Sequence, residues 1–395
     1  MLKIKSLYIN NFKAFNDFHI EFNENMTVMI GFNGTGKTTI LEIIYNILSQ
    51  NFNYFLKYKE FTFIEMEILQ EGKEKIILVQ KENNAIKIKV NGKMVESLEK
   101  NMNLSKILYI PTEVNFLNIE TKGVSKLEGE EDKNIVLNSE RMSKQLKQFL
   151  VNEKYKDLND IAEGKTEKAI RLEKFKKLYN DFFDDKEFIG IDNETFEPQF
   201  KIKENGKIIK VEDLSAGEKQ IFFRGGSLLQ NSNKGVLVLL DEPEISMHPE
   251  WQQKILDFYK NISEEAQYII STHSPHIAIC SLPKEIRVLE KDENKIVIRE
   301  ITGSYGRTVE DVLTSIFELE TLRNEEMENN IKEYRELFFN KNVNSDEQNQ
   351  RLKELESIIY KYLDPNDPAI SMLEFENGTM ELKEKLKKLV GEQNA

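Results

Sequence analysis

The chain has 395 residues, of which 39% are apolar, and carries a formal charge of −13 at pH 7. That length suits two or three structural units around a sizeable core. The excess of acid argues against non-specific coating of DNA, though not against a local basic surface that a whole-chain sum hides. A single cysteine, Cys280, excludes a disulfide framework and a cysteine-rich zinc site. With only His19, His248, His273 and His276 beside it, a transition-metal centre is not expected. The N-terminus runs into a strand-like pattern with no apolar leader, and no apolar run approaches the ~18 residues that span a bilayer. The expectation is a soluble, cytoplasmic protein with no membrane partner.

In chain order, Leu7, Ile9 and Phe12 fall near an antiparallel opening pair, and Val28-Met29-Ile30 predicts a short buried strand. Thr38–Leu48 has helical apolar spacing at Ile40, Leu41, Ile44 and Leu48. Residues 61–92 change period, and Asn91-Gly92 after the alternating Ile86–Val90 marks a tight hairpin, so an antiparallel sheet is expected beside the core. Lys106–Pro111 predicts a buried strand. Residues 135–185 are polar with helical apolar spacing, as at Leu146, Phe149, Leu150, Phe175, Tyr179 and Phe182. A hairpin about Asn205-Gly206 follows, then core strands at Val236–Leu240 and Tyr268–Ser271, and a closing hairpin over Glu285–Leu289 and Lys295–Ile301. From Thr308, which with Asp311 resembles a capping box, the pattern is helical, with further helices over Met327–Phe338 and Leu352–Leu363. Glu128–Lys133 reads as a short acidic turn, and His19 and Cys280 read as packing residues.

Four motifs carry chemistry. Gly31-Phe32-Asn33-Gly34-Thr35-Gly36-Lys37-Thr38 fits G-x-x-x-x-G-K-[ST] between a predicted strand and a predicted helix. Glycines let backbone N–H groups curl around a phosphate, and the helix adds its positive N-terminal end. Lys37 would supply a charge between the β- and γ-phosphates of a nucleoside triphosphate, and Thr38 a hydroxyl to Mg2+. Leu214-Ser215-Ala216-Gly217-Glu218 opens another helix, where serine and glycine at the N-terminus make a second anion site. Ordinary N-capping by Ser215, with Glu218 at the third helical position, is the plain alternative, and both readings can hold together. One chain cannot easily aim two such sites at one triphosphate. Head-to-tail pairing is therefore expected, with Ser215 of one copy meeting the γ-phosphate held by Lys37 of the other.

The run Val236–Leu240 empties into Asp241 and Glu242. A buried strand ending in two carboxylates makes little packing sense without a cation. Asp241 is expected in the magnesium shell, and Glu242 as the general base that polarises the attacking water. His273 lies in Ser271-Thr272-His273-Ser274, after the next core strand, where a neutral donor could hold water or phosphate in line with Glu242.

In this order the four motifs resemble the ABC-type ATPase fold, and more narrowly its soluble branch of RecF, SMC heads and overcoming-lysogenization-defect nucleases. Asn11-Phe12-Lys13-Ala14-Phe15 is similar to that branch's opening strand. Asp241-Glu242-Pro243-Glu244 running to His248-Pro249, and Ser271–Pro275, look like its overcoming-lysogenization-defect and anti-phage members. The fold class implied is α/β, an ABC-ATPase head with a mixed sheet around the phosphate loop, an antiparallel β subdomain, a helical subdomain and a C-terminal helical tail. The implied divisions are 1–134 for the phosphate loop and antiparallel subdomain, 135–212 for a helical insertion, 213–303 for the other three motifs and 304–395 for a helical region. ATP and Mg2+ are the expected cofactors. The nucleotide contacts expected are Asn33, Gly34, Thr35, Gly36, Lys37, Thr38 and Thr39, with Ser215, Gly217 and Glu218. Catalysis falls to Lys37, Glu242 and His273, and the metal to Thr38 and Asp241.

The chain also departs from the family. Its insertion is too short for SMC coiled coils, one cysteine excludes a zinc hook, and the stretch after Gly303 reads as helices where the nucleases add a Toprim domain. The family's Q-loop glutamine has no counterpart in Pro111-Thr112-Glu113; either Glu113 takes the role or the role is lost. Ser304-Tyr305-Gly306-Arg307-Thr308 and the helical tail look similar to the ATPase subunit of Septu-type anti-phage systems. That resemblance implies a homodimer or larger homo-oligomer and a separate HNH-type nuclease subunit as partner. The alternative is a RecF-like, ATP-gated DNA-repair clamp with nucleic acid as partner and Lys174-Phe175-Lys176-Lys177 as a DNA track, although a helix with such a run is more often a solvated face.

Overall fold

The computed structural model describes residues 2–100, 102, 106–112, 134–231, 235–263, 265–293, 295–301, 303–339, 345–375 and 378. Glu113 and the 128–133 turn lie outside the described residues. The chain forms two compact units, Met1–Val312 and Leu313–Ala395.

In the first unit, strands β1 (Leu2–Asn10), β2 (Phe18–Glu21) and β3 (Met26–Ile30) precede helix α1 (Lys37–Leu48) and a single turn α2 (Asn53–Leu56). Next come β4 (Phe63–Gln70), β5 (Lys73–Glu82), β6 (Ala85–Val90), β7 (Lys93–Met94), β8 (Ile107–Ile110) and β9 (Asn134–Val136). Helices α3 (Ser139–Ala162) and α4 (Glu173–Asn180) lead to β10 (Lys186–Ile191), β11 (Pro198–Ile202) and β12 (Ile208–Lys210). A helix then runs as α5 (Ala216–Gln220), a wide π turn at Ile221–Gly225 and α6 (Gly226–Asn231). The unit ends with β13 (Leu237–Asp241), α7 (Pro249–Ile262), β14 (Gln267–Thr272), α8 (Pro275–Cys280), β15 (Ile286–Asp292), β16 (Lys295–Arg299) and the start of α9 (Val309–Ser315).

The core sheet has the order β16-β15-β3-β14-β13-β8-β9 and is parallel from β15 through β9. Strands β3, β13 and β14 are buried at every position, which is why they read as continuous apolar runs rather than alternations. Because they are parallel and in register, with Asp241 opposite Ser271 and Thr272 opposite Ile30, their carboxyl ends open onto one edge. Loops at that edge are where open α/β sheets place ligands. The second sheet, β2-β1-β4-β5-β6-β7, is antiparallel throughout, and its apolar face shares one core with Ile40, Leu41, Ile44 and Leu48 of α1. Gln267 staples the two sheets: its Nε2 donates to the carbonyls of Ile4 and Asn23, each at 2.8 Å, and its Oε1 accepts from the Ile4 N–H at 2.7 Å. A buried amide satisfied at both ends fixes register as well as contact.

Two expectations need correction. The 135–212 segment is not purely helical. After α3 and α4 it holds the expected hairpin about Asn205-Gly206 as β11 and β12, extended to a three-stranded antiparallel sheet by β10, which was not expected and is broken by a bulge between Phe188 and Gly190. That irregularity interrupts the period-two signal. His19 is not a packing residue either: β2 alternates buried and exposed, and His19 takes an exposed position, while Cys280 is half-buried.

The second unit holds α10 (Glu325–Phe339) and α11 (Asp346–Tyr362), around a small core of Ile331, Tyr334, Phe338, Leu352, Leu355, Ile359 and Leu373. Arg323 grips Asp367 through two hydrogen bonds at 2.6 and 2.7 Å, and Arg351 grips Glu333 through two at 2.9 Å. Planar guanidinium–carboxylate pairs of this kind add geometric specificity to a thin core.

Candidate functional site

The loop from β3 to α1 is shaped by residues that leave no room for side chains. Gly36 has φ 86°, and a Cβ there would stand 2.3 Å from the Phe15 ring, so the opening strand's turn dictates a glycine. Gly36 is also the N-cap of α1, with no side-chain cap, so the first N–H groups of α1 are left for a ligand. Lys37 is buried and folds back over the loop, its Nζ donating to the carbonyls of Gly31 at 2.8 Å and Phe32 at 2.9 Å. Burial lowers its pKa to about 8, against the pull of Glu242, Asp241 and Glu244. Asn33 and Gly34 are exposed at the loop tip; Thr35 is buried and donates its hydroxyl to the Phe32 carbonyl at 2.9 Å. Thr39 faces Lys13, whose Nζ lies 3.5 Å from its hydroxyl.

Asp241, at the carboxyl end of β13, collects hydroxyls from three elements. Thr38 of α1 donates to its Oδ1 at 3.1 Å, Thr112 after β8 donates to its Oδ2 at 2.8 Å, and Ser271 of β14 donates to Oδ1. Glu242 follows with φ 44°, a left-handed conformation uncommon for a residue with a side chain. Its carboxyl Oε1 lies 3.5 Å from Nε2 of His273. Burial, then the neighbouring Asp241, raises the pKa of Glu242, while burial, then Lys37, lowers that of His273. The carboxylate is thereby made more basic and the imidazole is kept neutral. Buried Glu244 holds the histidine's loop: its Oε1 accepts from the Thr272 hydroxyl at 2.6 Å and from the His273 N–H at 2.8 Å.

The second motif, Leu214–Glu218, here called the signature motif and its helix the signature helix, is not part of this cluster. Exposed Ser215 caps α5, its Oγ accepting from the Glu218 N–H at 3.3 Å, while its own N–H donates to Glu218 at 2.6 Å. Lys186 of β10 pins the Glu218 carboxylate at 2.6 Å. Gly217 lies so close to the loop after Glu242 that a Cβ would stand 2.5 Å from the Ser246 carbonyl. The structure therefore brings Lys37, Thr38, Asp241, Glu242 and His273 together and leaves Ser215 facing outward.

Sequence reasoning missed Thr112 and Ser271 as partners of Asp241, Glu244 as the support of His273, and Arg224. Of these only Arg224 carried a local signal, as a lone charge in the apolar run Ile221-Phe222-Phe223-Arg224-Gly225-Gly226.

The family described as AAA domain, putative AbiEii toxin, Type IV TA system matches residues 26–279, which span the cluster from Lys37 to His273. The chain belongs to this family. It is similar to the Septu protein PtuA of Bacillus thuringiensis, 24% identical over 350 residues that cover 82% of this chain and 86% of that protein. The Septu protein PtuA of Bacillus mycoides (strain KBAB4) is 24% identical over 339 residues, 80% of this chain but 44% of that longer protein. Among solved structures, an SMC head domain from Thermotoga maritima aligns with a TM-score of 0.48 and 15% identity, covering 76% of this chain and 99% of that one. Over most of its length the chain is thus similar to Septu PtuA proteins. Among the described residues no helix is long and apolar enough to cross a membrane.

Proposed function

We propose that the protein is a Mg2+-dependent ATPase whose copies pair head to tail around ATP and regulate a separate nuclease in anti-phage defence. One observation carries the catalytic half: Asp241 gathers the Thr38, Thr112 and Ser271 hydroxyls while Glu242 and His273 meet beside it at 3.5 Å. The donor set fits the cofactor. Thr38 and Asp241 offer hard oxygen ligands 3.1 Å apart, suited to a magnesium ion that also keeps water and phosphate oxygens. When bound, the ion would neutralise charge on the β- and γ-phosphates.

The protein's own groups supply the rest. Lys37 exchanges its two loop carbonyls for phosphate oxygens. Glu242, made more basic by burial, takes a proton from water as the water oxygen attacks the γ-phosphorus and the bond to the bridging oxygen breaks, giving ADP and phosphate. Neutral His273 holds that water or the γ-phosphate in line.

Pairing is supported by Ser215, which is exposed at a helix start and, among the described residues, spends its hydroxyl and N–H on the Glu218 of its own cap. The defence role and the nuclease partner are supported by the likeness to two Septu proteins over most of this chain. The DNA track of the clamp reading gains little: Phe175 is buried in the core and Lys176 is paired with Glu173 at 3.0 Å, the pattern of a solvated face.

The test is the solution mass of Glu242→Gln by light scattering, with and without Mg2+-ATP. A rise from monomer to dimer on adding nucleotide is expected, with hydrolysis down by roughly 10²–10⁴. A chain that stays monomeric with bound ATP overturns head-to-tail pairing. Salt-dependent DNA binding by the purified chain, without capture of a co-expressed nuclease, would replace the defence reading with the clamp.

A further inference from the structure

Arg224 is completely buried in the π turn that interrupts the signature helix. Wide turns of this kind are rare and concentrate at functional sites. The turn is tightly enclosed: a Cβ on Gly225 would stand 2.4 Å from the Phe258 ring, and one on Gly226 2.3 Å from the Tyr179 hydroxyl. From this turn Arg224 donates through Nη1 to the carbonyl of Glu242 at 3.2 Å and through Nη2 to the carbonyl of Pro111 at 3.1 Å. The hydroxyl of buried Tyr259 is a further side-chain partner of the guanidinium. Among the described residues no carboxylate pairs with it directly, although those of Glu244 and Asp241 act on it through space.

A guanidinium buried on two carbonyls is an expensive way to fill a core, since burying it is costly and a hydrophobic side chain of similar size packs at least as well. What it touches accounts for it. Glu242 is the residue in the left-handed conformation, and its peptide is gripped on both sides, its N–H donating to the Ser271 carbonyl at 3.0 Å and its own carbonyl accepting from Arg224. Pro111 immediately precedes Thr112, whose hydroxyl holds Asp241. One guanidinium therefore braces the backbone that presents Glu242 and the segment whose Thr112 hydroxyl holds Asp241, and it does so from the helix that begins at Ser215.

We propose that Arg224 is a positioning residue: it locks the left-handed backbone of Glu242 so that its carboxylate meets His273, and it links the signature helix to that carboxylate. The proposal rests on Glu242 being the general base. Movement of the Ser215 end of the helix then reaches the base of the same chain through a single side chain.

The test uses the full chain with Arg224→Lys, which keeps the charge but reaches one carbonyl at most, and Arg224→Met, which keeps much of the stem and removes every donor. For Arg224→Lys, kcat should fall by roughly 10- to 100-fold while KM moves by less than about threefold, as expected for a displaced catalytic group. Amide exchange at Glu242–Ser246 in the nucleotide-free protein should quicken while the Tm stays near that of the wild type. Combined with Glu242→Gln, Arg224→Lys should cost nothing further, because its effect runs through the missing carboxylate. Unchanged kcat and exchange in Arg224→Lys would overturn the proposal, as would an equal further loss in the Glu242→Gln background. Should Arg224→Met fail to fold, the lysine variant still decides. If Glu242→Gln alone hydrolyses ATP at the wild-type rate, the general-base assignment fails, while exchange at Glu242–Ser246 still reports whether Arg224 holds that backbone.

Discussion

Lys37 and Ser215 both stand at the start of a helix that follows a tight loop, and the two helix starts are finished differently. The first turn of α1 has a glycine N-cap and no side chain on its N–H groups, with Lys37 resting on nearby carbonyls. The first turn of α5 is closed by its own reciprocal capping box between Ser215 and Glu218, and Lys186 secures the glutamate. An open, positive helix end beside a buried ammonium is ready for an anion within one chain. A closed one gives little to an anion until another surface is brought against it. In the function proposed here, the single chain would hold the nucleotide and the assembled pair would sense it.

Breaking the closed end should have the larger effect on turnover. Ser215→Arg adds bulk and charge at an exposed position without touching the Lys37 cradle. Hydrolysis should drop to background and Mg2+-ATP should no longer raise the solution mass, while ATP affinity stays within about threefold. Normal turnover in that variant would show that each site works without a second copy. Breaking the open end should strike binding first. Lys37→Ala removes two charge-assisted hydrogen bonds, worth about 1.5–3 kcal/mol each once phosphate replaces the carbonyls. ATP affinity should fall by at least ~100-fold in calorimetry. Retained affinity would mean that the backbone and the helix end suffice.

The same contrast explains what could be read ahead of the structure. The core strands β3, β13 and β14 were legible because parallel strands buried on both faces must be apolar throughout. Lys37, Thr38, Asp241, Glu242 and His273 were legible as candidates because the proposed phosphate chemistry asks for those residue types close behind strand ends. The supports were not, since each reaches its partner across the chain: Thr112 to Asp241 spans 129 positions, Arg224 to Pro111 spans 113, and Thr272 to Glu244 spans 28. No local pattern encodes such pairs, because a hydroxyl near a strand end looks the same whether it faces water or a carboxylate. Strand β10 was hidden for a different reason, its bulge having broken the alternation that would have announced it.

The smallest effect probes the open end without a mutation. Burial holds Lys37 at a pKa of about 8, because too little water surrounds the ammonium to stabilise its charge. Phosphate binding supplies opposite charge at hydrogen-bond distance, which favours the protonated form and moves the pKa back up. Between pH 8 and the ordinary lysine range, free protein is therefore partly deprotonated at Lys37 and bound protein is protonated, so ATP binding takes up as much as one proton. Affinity should be steady below pH 8 and then weaken by at most about tenfold per pH unit above it. Calorimetry at pH 8.5 in two buffers of different ionisation enthalpy should give different binding heats, with the sign of proton uptake, and Lys37→Arg should remove the difference because guanidinium does not titrate there. Equal heats in the two buffers would mean that Lys37 keeps its proton without nucleotide. Its bonds to the Gly31 and Phe32 carbonyls would then already do for the ammonium what phosphate does later, and the loop would be organised around a charged lysine before any ligand arrives.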